Sequence, residues 1–260
     1  MESINQNINN QNHVNMQNRN ELIGNSIDDF EFLKILGEGG FGCVFKVRSK
    51  KNNKLYALKK INFKNEKEIQ KNKKEIILLK YLDHDNICKC FSQFKTPDGT
   101  QYMVMEQYNN NDLFQYVRAN QGMNHHIREE IIWNIIFQCF EGLSYLHLQG
   151  IIHCDIKLGN IFMTEEGKIV IGDFGESMVK DDNILQKITQ NVEEQNFLRY
   201  KYEVRGTDGY LAPEVRISGC SEKSDVYSLG VCFYALLYYD FPKEETMESN
   251  FRKKKIIQMN

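Results

Sequence analysis

A chain of 260 residues and 30.6 kDa has room for one large or two closely apposed domains, and not for three. With 41% hydrophobic and 26% charged residues it has a globular composition, which excludes the fibrous and wholly disordered classes. Lys and Arg (33) nearly balance Asp and Glu (35), and the net charge of −2 gives no bias towards nucleic acid as a partner. The longest strongly apolar run, residues 226–239, is too short to span a bilayer and reads as a buried helix, so no membrane partner is expected. The first 27 residues lack the apolar core of a signal peptide, which points to a cytoplasmic or nuclear protein that is not secreted. Seven cysteines, an odd and scattered set, read as reduced thiols. Cys88 and Cys90 read as ordinary strand residues in preference to a zinc site, since no second ligand pair lies nearby.

Residues 1–27 hold nine Asn and few large apolar side chains, and are expected to form a disordered tail. From Phe30 the pattern changes to short apolar alternation: Phe32, Leu33 and Ile35, then Val44, Phe45 and Val47, then Leu55, Ala57 and Leu58. These predict three strands joined by a Gly-rich turn and by the polar turn at 49–54. Ile69, Ile76, Leu79 and Leu82 on a charged background predict a helix over 66–82. Strands near 87–95 and 101–106 follow, separated by the turn Pro97-Asp98-Gly99. Ile127, Ile131, Ile132, Ile135, Cys139, Leu143 and Leu146 recur at helical spacing, with Gly150 as a C-terminal stop. Short strands then flank a loop around 153–160 and run to Ile171. The charged stretch 180–205 has weak periodicity and is expected to be an exposed, mobile loop; helix returns at 224–239. The fold class is therefore α+β: a strand-rich lobe to about Glu106, then a helical lobe, with a ligand expected at the junction.

Several segments carry chemistry. In Leu36-Gly37-Glu38-Gly39-Gly40-Phe41-Gly42-Cys43-Val44 the glycines would let a hairpin lie against phosphates with its N–H groups exposed and no Cβ in the way. A strand follows this turn, not the helix that a dinucleotide-binding fold requires. Lys59, 17 residues after Gly42, points to the inner face of the sheet and needs an anionic partner. Glu75 on the predicted helix is either that partner, holding Lys59 towards phosphates, or a solvated surface residue. In Ile151-Ile152-His153-Cys154-Asp155-Ile156-Lys157-Leu158-Gly159-Asn160-Ile161, a carboxylate, a cation and an amide stand at spacings that suit a base, a γ-phosphate contact and a metal ligand. Asp173-Phe174-Gly175 adds a second carboxylate 18 residues after Asp155. Asn160 and Asp173 are hard oxygen ligands that suit Mg²⁺ on a triphosphate, because Mg²⁺ takes few protein ligands and completes its octahedron with water and phosphate.

Together these residues make the chain resemble a eukaryotic protein kinase of the serine/threonine type, from Phe30 to about Tyr239 and in order. The match runs on through Ala212-Pro213-Glu214, and Asp225 resembles the aspartate that braces the catalytic loop from below. The resemblance implies a two-lobed kinase domain over 28–260, with an N-lobe at 28–107 and a C-lobe at 108–260. It implies ATP and Mg²⁺ as cofactors, a protein substrate presenting Ser or Thr, and Asp155, Lys157, Lys59 and Glu75 as the catalytic set. It also implies Met105 as gatekeeper, Glu106 to Tyr108 as the adenine-binding hinge, Asp112 as a ribose contact, and Leu36, Val44 and Ala57 over the adenine. Lys157 and Thr207 fit the serine/threonine pattern, and residues 153–162 with 172–175 look most like NIMA-related kinases.

Departures from the family pattern accompany the match. Cys154 stands where most kinases have Arg, and Leu158-Gly159 where a Pro is frequent. The segment from Asp173 to Glu214 is long, at 42 residues. The family normally continues with three further helices and an Arg partner for the Glu matching Glu214. Helix 224–239 is therefore expected to belong to a shortened C-lobe lacking its last helices, with one apolar flank uncovered. The alternatives to an active kinase are a nucleotide-binding pseudokinase or scaffold, or an incomplete kinase fragment.

Overall fold

The computed structural model describes residues 22–39, 42–61, 66–108, 110–164, 166–199, 201 and 204–240. Residues 1–21 of the expected tail, Gly40 and Phe41 of the Gly-rich turn, and residues 241–260 lie outside the described residues. The chain divides into two compact units, Met1–Asp83 with Ile87–Asn109, and His84–Asn86 with Asn110–Asn260.

The first unit is a five-stranded antiparallel sheet with one helix. Strands β1 (Phe30–Gly39), β2 (Gly42–Ser49), β3 (Leu55–Ile61), β4 (Cys90–Lys95) and β5 (Gln101–Met105) lie in the order β1-β2-β3-β5-β4. Their turns form where the sequence punctuates. Asn53 takes a left-handed φ of 59°, which Asn tolerates better than most residues, and closes the β2–β3 turn on Ser49. Gly99 at φ 89° closes the β4–β5 turn on Thr96. In β4 the inward residues Cys90, Ser92 and Phe94 alternate with half-buried ones, the period-two pattern of a sheet with one covered face. Helix α1 (Glu66–Tyr81) buries Ile76, Leu78 and Leu79.

The sheet's core joins Phe30, Val47, Tyr56, Leu58, Phe94 and Val104 with Ile23. Ile23 is 7% exposed, so residues 22–27, expected within the disordered tail, are built into this unit. Two side chains reach back to pin that lead-in. The Ser49 and Ser92 hydroxyls donate to the carbonyls of Ile23 and Gly24, and Ser26 forms a capping box with Asp29.

The second unit is mainly helical. After a short strand β6 (Asn110–Asp112) come α2 (Leu113–Gly122) and α3 (Glu129–Leu148). Ile132, Ile135, Cys139, Leu143 and Leu146 form the buried stripe of α3 as their spacing predicts, while Ile127 is buried ahead of the helix. Gly150 at φ 67° turns the chain into β7 (Ile151–Ile152). Strands β8 (Ile161–Met163) and β9 (Ile169–Ile171) form a hairpin beside β6, and β10 (Met178–Val179) pairs with β7.

The stretch expected as a mobile loop at 180–205 instead contains two helices, α4 (Asp182–Ile188) and α5 (Val192–Leu198). The side chains of Asp181 and Asn191 cap their first turns. Leu185 and Leu198 are buried at 1% and 0% exposure, and Arg199 pairs with Asp182 at 2.9 Å. One buried leucine per two-turn helix leaves no repeat for a periodicity reading to find.

A short helix α6 (Val215–Ser218) precedes α7 (Glu222–Tyr238), which opens on a capping box between Ser221 and Ser224. Leu229, Val231, Cys232, Ala235 and Leu236 of α7 are buried, whereas Val226 and Leu237 are 44% and 48% exposed. The uncovered apolar flank expected on this helix is therefore present among the described residues.

Candidate active site

In the first unit, β1 and β2 carry the Gly-rich turn, with Gly37 opposite Val44, Glu38 opposite Cys43 and Gly39 opposite Gly42. Lys59 on β3 sits between Val44 of β2 and Met103 of β5, the centre of the sheet. Its ammonium meets the Glu75 carboxylate of α1 at 2.5 Å, with the two side chains 12% and 4% exposed. A cation aimed inward from a central strand would be costly alone, and Glu75 is the partner that sequence spacing left open. Glu75→Ala would leave that cation uncompensated; a loss of about 3 kcal/mol in unfolding free energy is expected, read by urea denaturation.

Met105 closes β5 opposite Ala57 and Cys90. Beyond it the Glu106 N–H donates to the Lys89 carbonyl at 3.0 Å, and the Tyr108 hydroxyl donates to Glu106 at 3.3 Å. Burial pushes the Tyr108 phenol far above its usual range. Ala57 is buried, while Leu36 and Val44 are half-buried.

The second unit brings the other candidate residues together. Asp155 is 8% exposed, and its carboxylate accepts from the Lys157 ammonium at 2.7 Å and the Thr207 hydroxyl at 2.7 Å. Lys157 also donates to the Thr207 hydroxyl at 3.0 Å, closing a triangle of three side chains. Asn160 ends a 3₁₀ turn at Leu158–Asn160, and its amide nitrogen donates to the Asp155 carbonyl at 2.8 Å and to the carboxylate at 3.2 Å. That orientation directs the amide nitrogen to Asp155 and leaves Oδ1 as the oxygen a cation could use. The Asn160 carbonyl accepts from Gly172 N–H at 2.9 Å, which ties the loop to the residue before Asp173.

Asp173 itself has a left-handed φ of 61° and accepts from the Gly175 N–H at 3.4 Å. A non-glycine residue costs roughly 1–3 kcal/mol in that region and persists only where its surroundings hold it there. Two oxygen donors, one amide and one carboxylate, fit a hard divalent cation that keeps much of its water and phosphate shell.

Asp225, named above from the resemblance, is joined here by residues on which the sequence reading is silent, His147, Ser177 and Gly206. Asp225 on α7 is 1% exposed and accepts from the backbone N–H groups of His153 at 2.8 Å and Cys154 at 2.9 Å. His147 of α3 meets the same carboxylate through Nε2 at 3.0 Å. These bonds hold Cys154 at its left-handed φ of 68°, and so set the direction in which Asp155 leaves the turn. The buried His153 ring contacts the Gly172 carbonyl at 3.0 Å and packs on Phe174. The Ser177 hydroxyl donates to the His153 carbonyl at 3.2 Å.

Gly206, at φ 107°, passes so close to the loop that a Cβ would lie 2.6 Å from the Cys154 carbonyl oxygen. Gly206→Ala is expected to cost about 2 kcal/mol and to displace Thr207 from Asp155, measured as a lowered Tm together with slower catalysis.

Asp112, expected at a ribose, caps α2 by accepting from the Gln115 N–H at 2.8 Å, and burial raises its carboxyl above the ordinary value. Cys43 is half-buried; Cys88 and Cys90 are buried. Among the described residues no helix is long and apolar enough to cross a membrane.

The family model described as protein kinase domain matches residues 30–260. The chain is 30% identical over 236 residues to the probable serine/threonine-protein kinase nek2 of Dictyostelium discoideum, covering 88% of this chain and 53% of that protein. It is 32% identical over 220 residues to the serine/threonine-protein kinase Nek5 of Mus musculus, covering 84% of this chain and 32% of that protein. The chain thus spans about half or less of the length of these curated relatives.

Proposed function

The chain belongs to the protein kinase family, and from that premise we propose that it transfers the γ-phosphoryl group of ATP to Ser or Thr hydroxyls of protein substrates. The observation that carries this reading is the Asp155–Lys157–Thr207 triangle, with Asn160 bonded to the same carboxylate. A buried carboxylate held by three donors is fixed in direction and can accept or orient a hydroxyl proton. Lys157 beside it neutralises charge on the transferring group. Lys59, held by Glu75, holds the α- and β-phosphates. Leu36, Val44 and Ala57 cover the adenine, the backbone between Met105 and Tyr108 bonds its edge, and Asp112 reaches the ribose.

The residues 37–43 of the Gly-rich turn cradle the phosphates with backbone N–H groups. Asn160 Oδ1 and the Asp173 carboxylate would hold Mg²⁺, which when bound supplies positive charge to the phosphate oxygens. Catalysis is then mostly positioning and preorganised electrostatics, as phosphoryl transfer requires little covalent work from the protein. The domain comprises residues 28–260, with the ordered lead-in from Leu22 attached to it.

A transfer assay with purified chain, labelled ATP, Mg²⁺ and a generic Ser/Thr protein substrate tests the reading. Label on Ser and Thr, lost when Mg²⁺ is chelated, is the expected result; nucleotide binding with no transfer would favour the scaffold alternative.

Activity is also expected to be independent of phosphorylation of the 173–214 segment. In kinases with Arg at the position of Cys154, the guanidinium binds a phosphate on this segment and orders it. A thiol is a weak donor and cannot do that. Order comes instead from the segment's own helices, with Leu185 and Leu198 buried and Arg199 paired to Asp182. Phosphatase treatment should leave the transfer rate unchanged. A large loss that rephosphorylation restores would show that a phosphate is required after all.

A further inference from the structure

We propose that Cys154 and Cys220 form a dithiol pair that hydrogen peroxide converts to a disulfide, tying the catalytic loop to the turn ahead of α7. The two residues are 66 positions apart in sequence and share one buried cluster with Ile152, Met178, Ala212 and Val215. They are 6% and 3% exposed. The Cys154 thiol lies 3.5 Å from the Ile152 carbonyl and the Cys220 thiol 3.8 Å from the Arg205 carbonyl, so each sulfur is held from its own side of the cluster. Each thiol also feels the other electrostatically across this cluster.

The pair is chemically asymmetric. The neighbouring Cys154 side chain holds the Cys220 thiol below its ordinary value against the opposing effect of burial. Burial, then the neighbouring Cys220 side chain, pushes Cys154 upward. Cys88, Cys90, Cys139 and Cys232 are all pushed upward by burial, the pattern of inert core thiols. Cys220 is thus the better nucleophile and Cys154 a resolving thiol already in contact with it.

The oxidant must be small, because the cluster is closed to a bulky disulfide such as glutathione's. The Cys220 thiolate attacks one oxygen of hydrogen peroxide, the O–O bond breaks, and protonation of the departing hydroxide leaves a sulfenic acid and one water. The Cys154 sulfur then attacks the sulfenic sulfur; the S–S bond forms, the S–O bond breaks, and the hydroxyl leaves with the thiol proton as a second water. In sum, two thiols and one peroxide give one disulfide and two waters.

The bond itself is independent of the kinase reading, whereas its effect on rate rests on it. Cys154 immediately precedes Asp155, and its backbone is fixed by Asp225 at a left-handed φ. A covalent pull on its side chain re-aims Asp155, and transfer is expected to fall about a hundredfold, reversibly.

The full chain is treated with hydrogen peroxide, its remaining thiols are alkylated, and it is digested without reduction for mass spectrometry. Peptides containing Cys154 and Cys220 joined, and released by dithiothreitol, are expected. Transfer should fall as they appear and return on reduction, and Cys220→Ala should resist peroxide. Alkylation of both cysteines as separate thiols after treatment would overturn the proposal, as would a disulfide that formed with a different partner. This peptide map needs no variant, so instability of Cys220→Ala would not obscure it. Joined peptides in a chain that transfers no phosphate even when reduced would support the pair and retire the kinase reading.

Discussion

Asp155→Asn is expected to lower the rate of phosphoryl transfer by about three orders of magnitude while ATP affinity stays close to that of the parent chain. The amide has the shape of the carboxylate but is a poor proton acceptor. Its oxygen can still accept from Lys157, and the Thr207 hydroxyl can rotate to accept from the new amide nitrogen, so the triangle survives in geometry and loses its base. The loss should therefore fall on kcat, with little change in the KM for ATP or in Tm. Steady-state kinetics with nucleotide titration separates these quantities. A variant turning over at the parent rate would remove Asp155 from the chemistry. Equal loss of rate and of ATP binding would instead mean that Asp155 acts on the nucleotide.

Asp225→Ala should do damage of a different kind. The Asp225 carboxylate is buried at 1% exposure and satisfies the N–H groups of His153 and Cys154 as well as His147. Truncation leaves two buried backbone donors without an acceptor, and a cost of about 4 kcal/mol is expected from that alone. The turn at Cys154 is left-handed and depends on those bonds, so the loop should relax and Asp155 should lose its direction. The expected signature is a lowered urea midpoint at constant slope together with a fall in kcat of about a hundredfold or more. Asp225→Asn should recover only part of both losses, because its amide presents one acceptor and one donor to two N–H groups. A truncation variant as stable as the parent would show that water or a neighbouring group replaces the carboxylate, and that the brace is dispensable.

The two variants also separate two kinds of residue. Asp155 was legible as a candidate base because a carboxylate, a cation and an amide recur at two and five residues within one apolar frame. His147 was not, since a histidine on the flank of the buried stripe of an amphipathic helix is silent until α7 brings Asp225 to it. Gly206 is likewise one glycine among many until its approach to the Cys154 carbonyl is seen.

The sequence by itself determined the order of most elements and the residue types that stand in the candidate site. Alternation in β4, the stripe of α3 and the turn residues Asn53 and Gly99 are local signals, because strand pleat, helical pitch and left-handed φ act within a few residues. Lys59 needed an anion wherever it was buried. Tertiary structure decided the rest. It chose Glu75 as that anion and drew Ile23 out of an apparent tail into the core of the first unit. It folded residues 182–198 into two short helices anchored by single buried leucines. It set Cys154 against Cys220 across 66 residues. Each of these depends on which surfaces meet after the chain has collapsed, and burial between distant residues leaves no period in the sequence from which to read it.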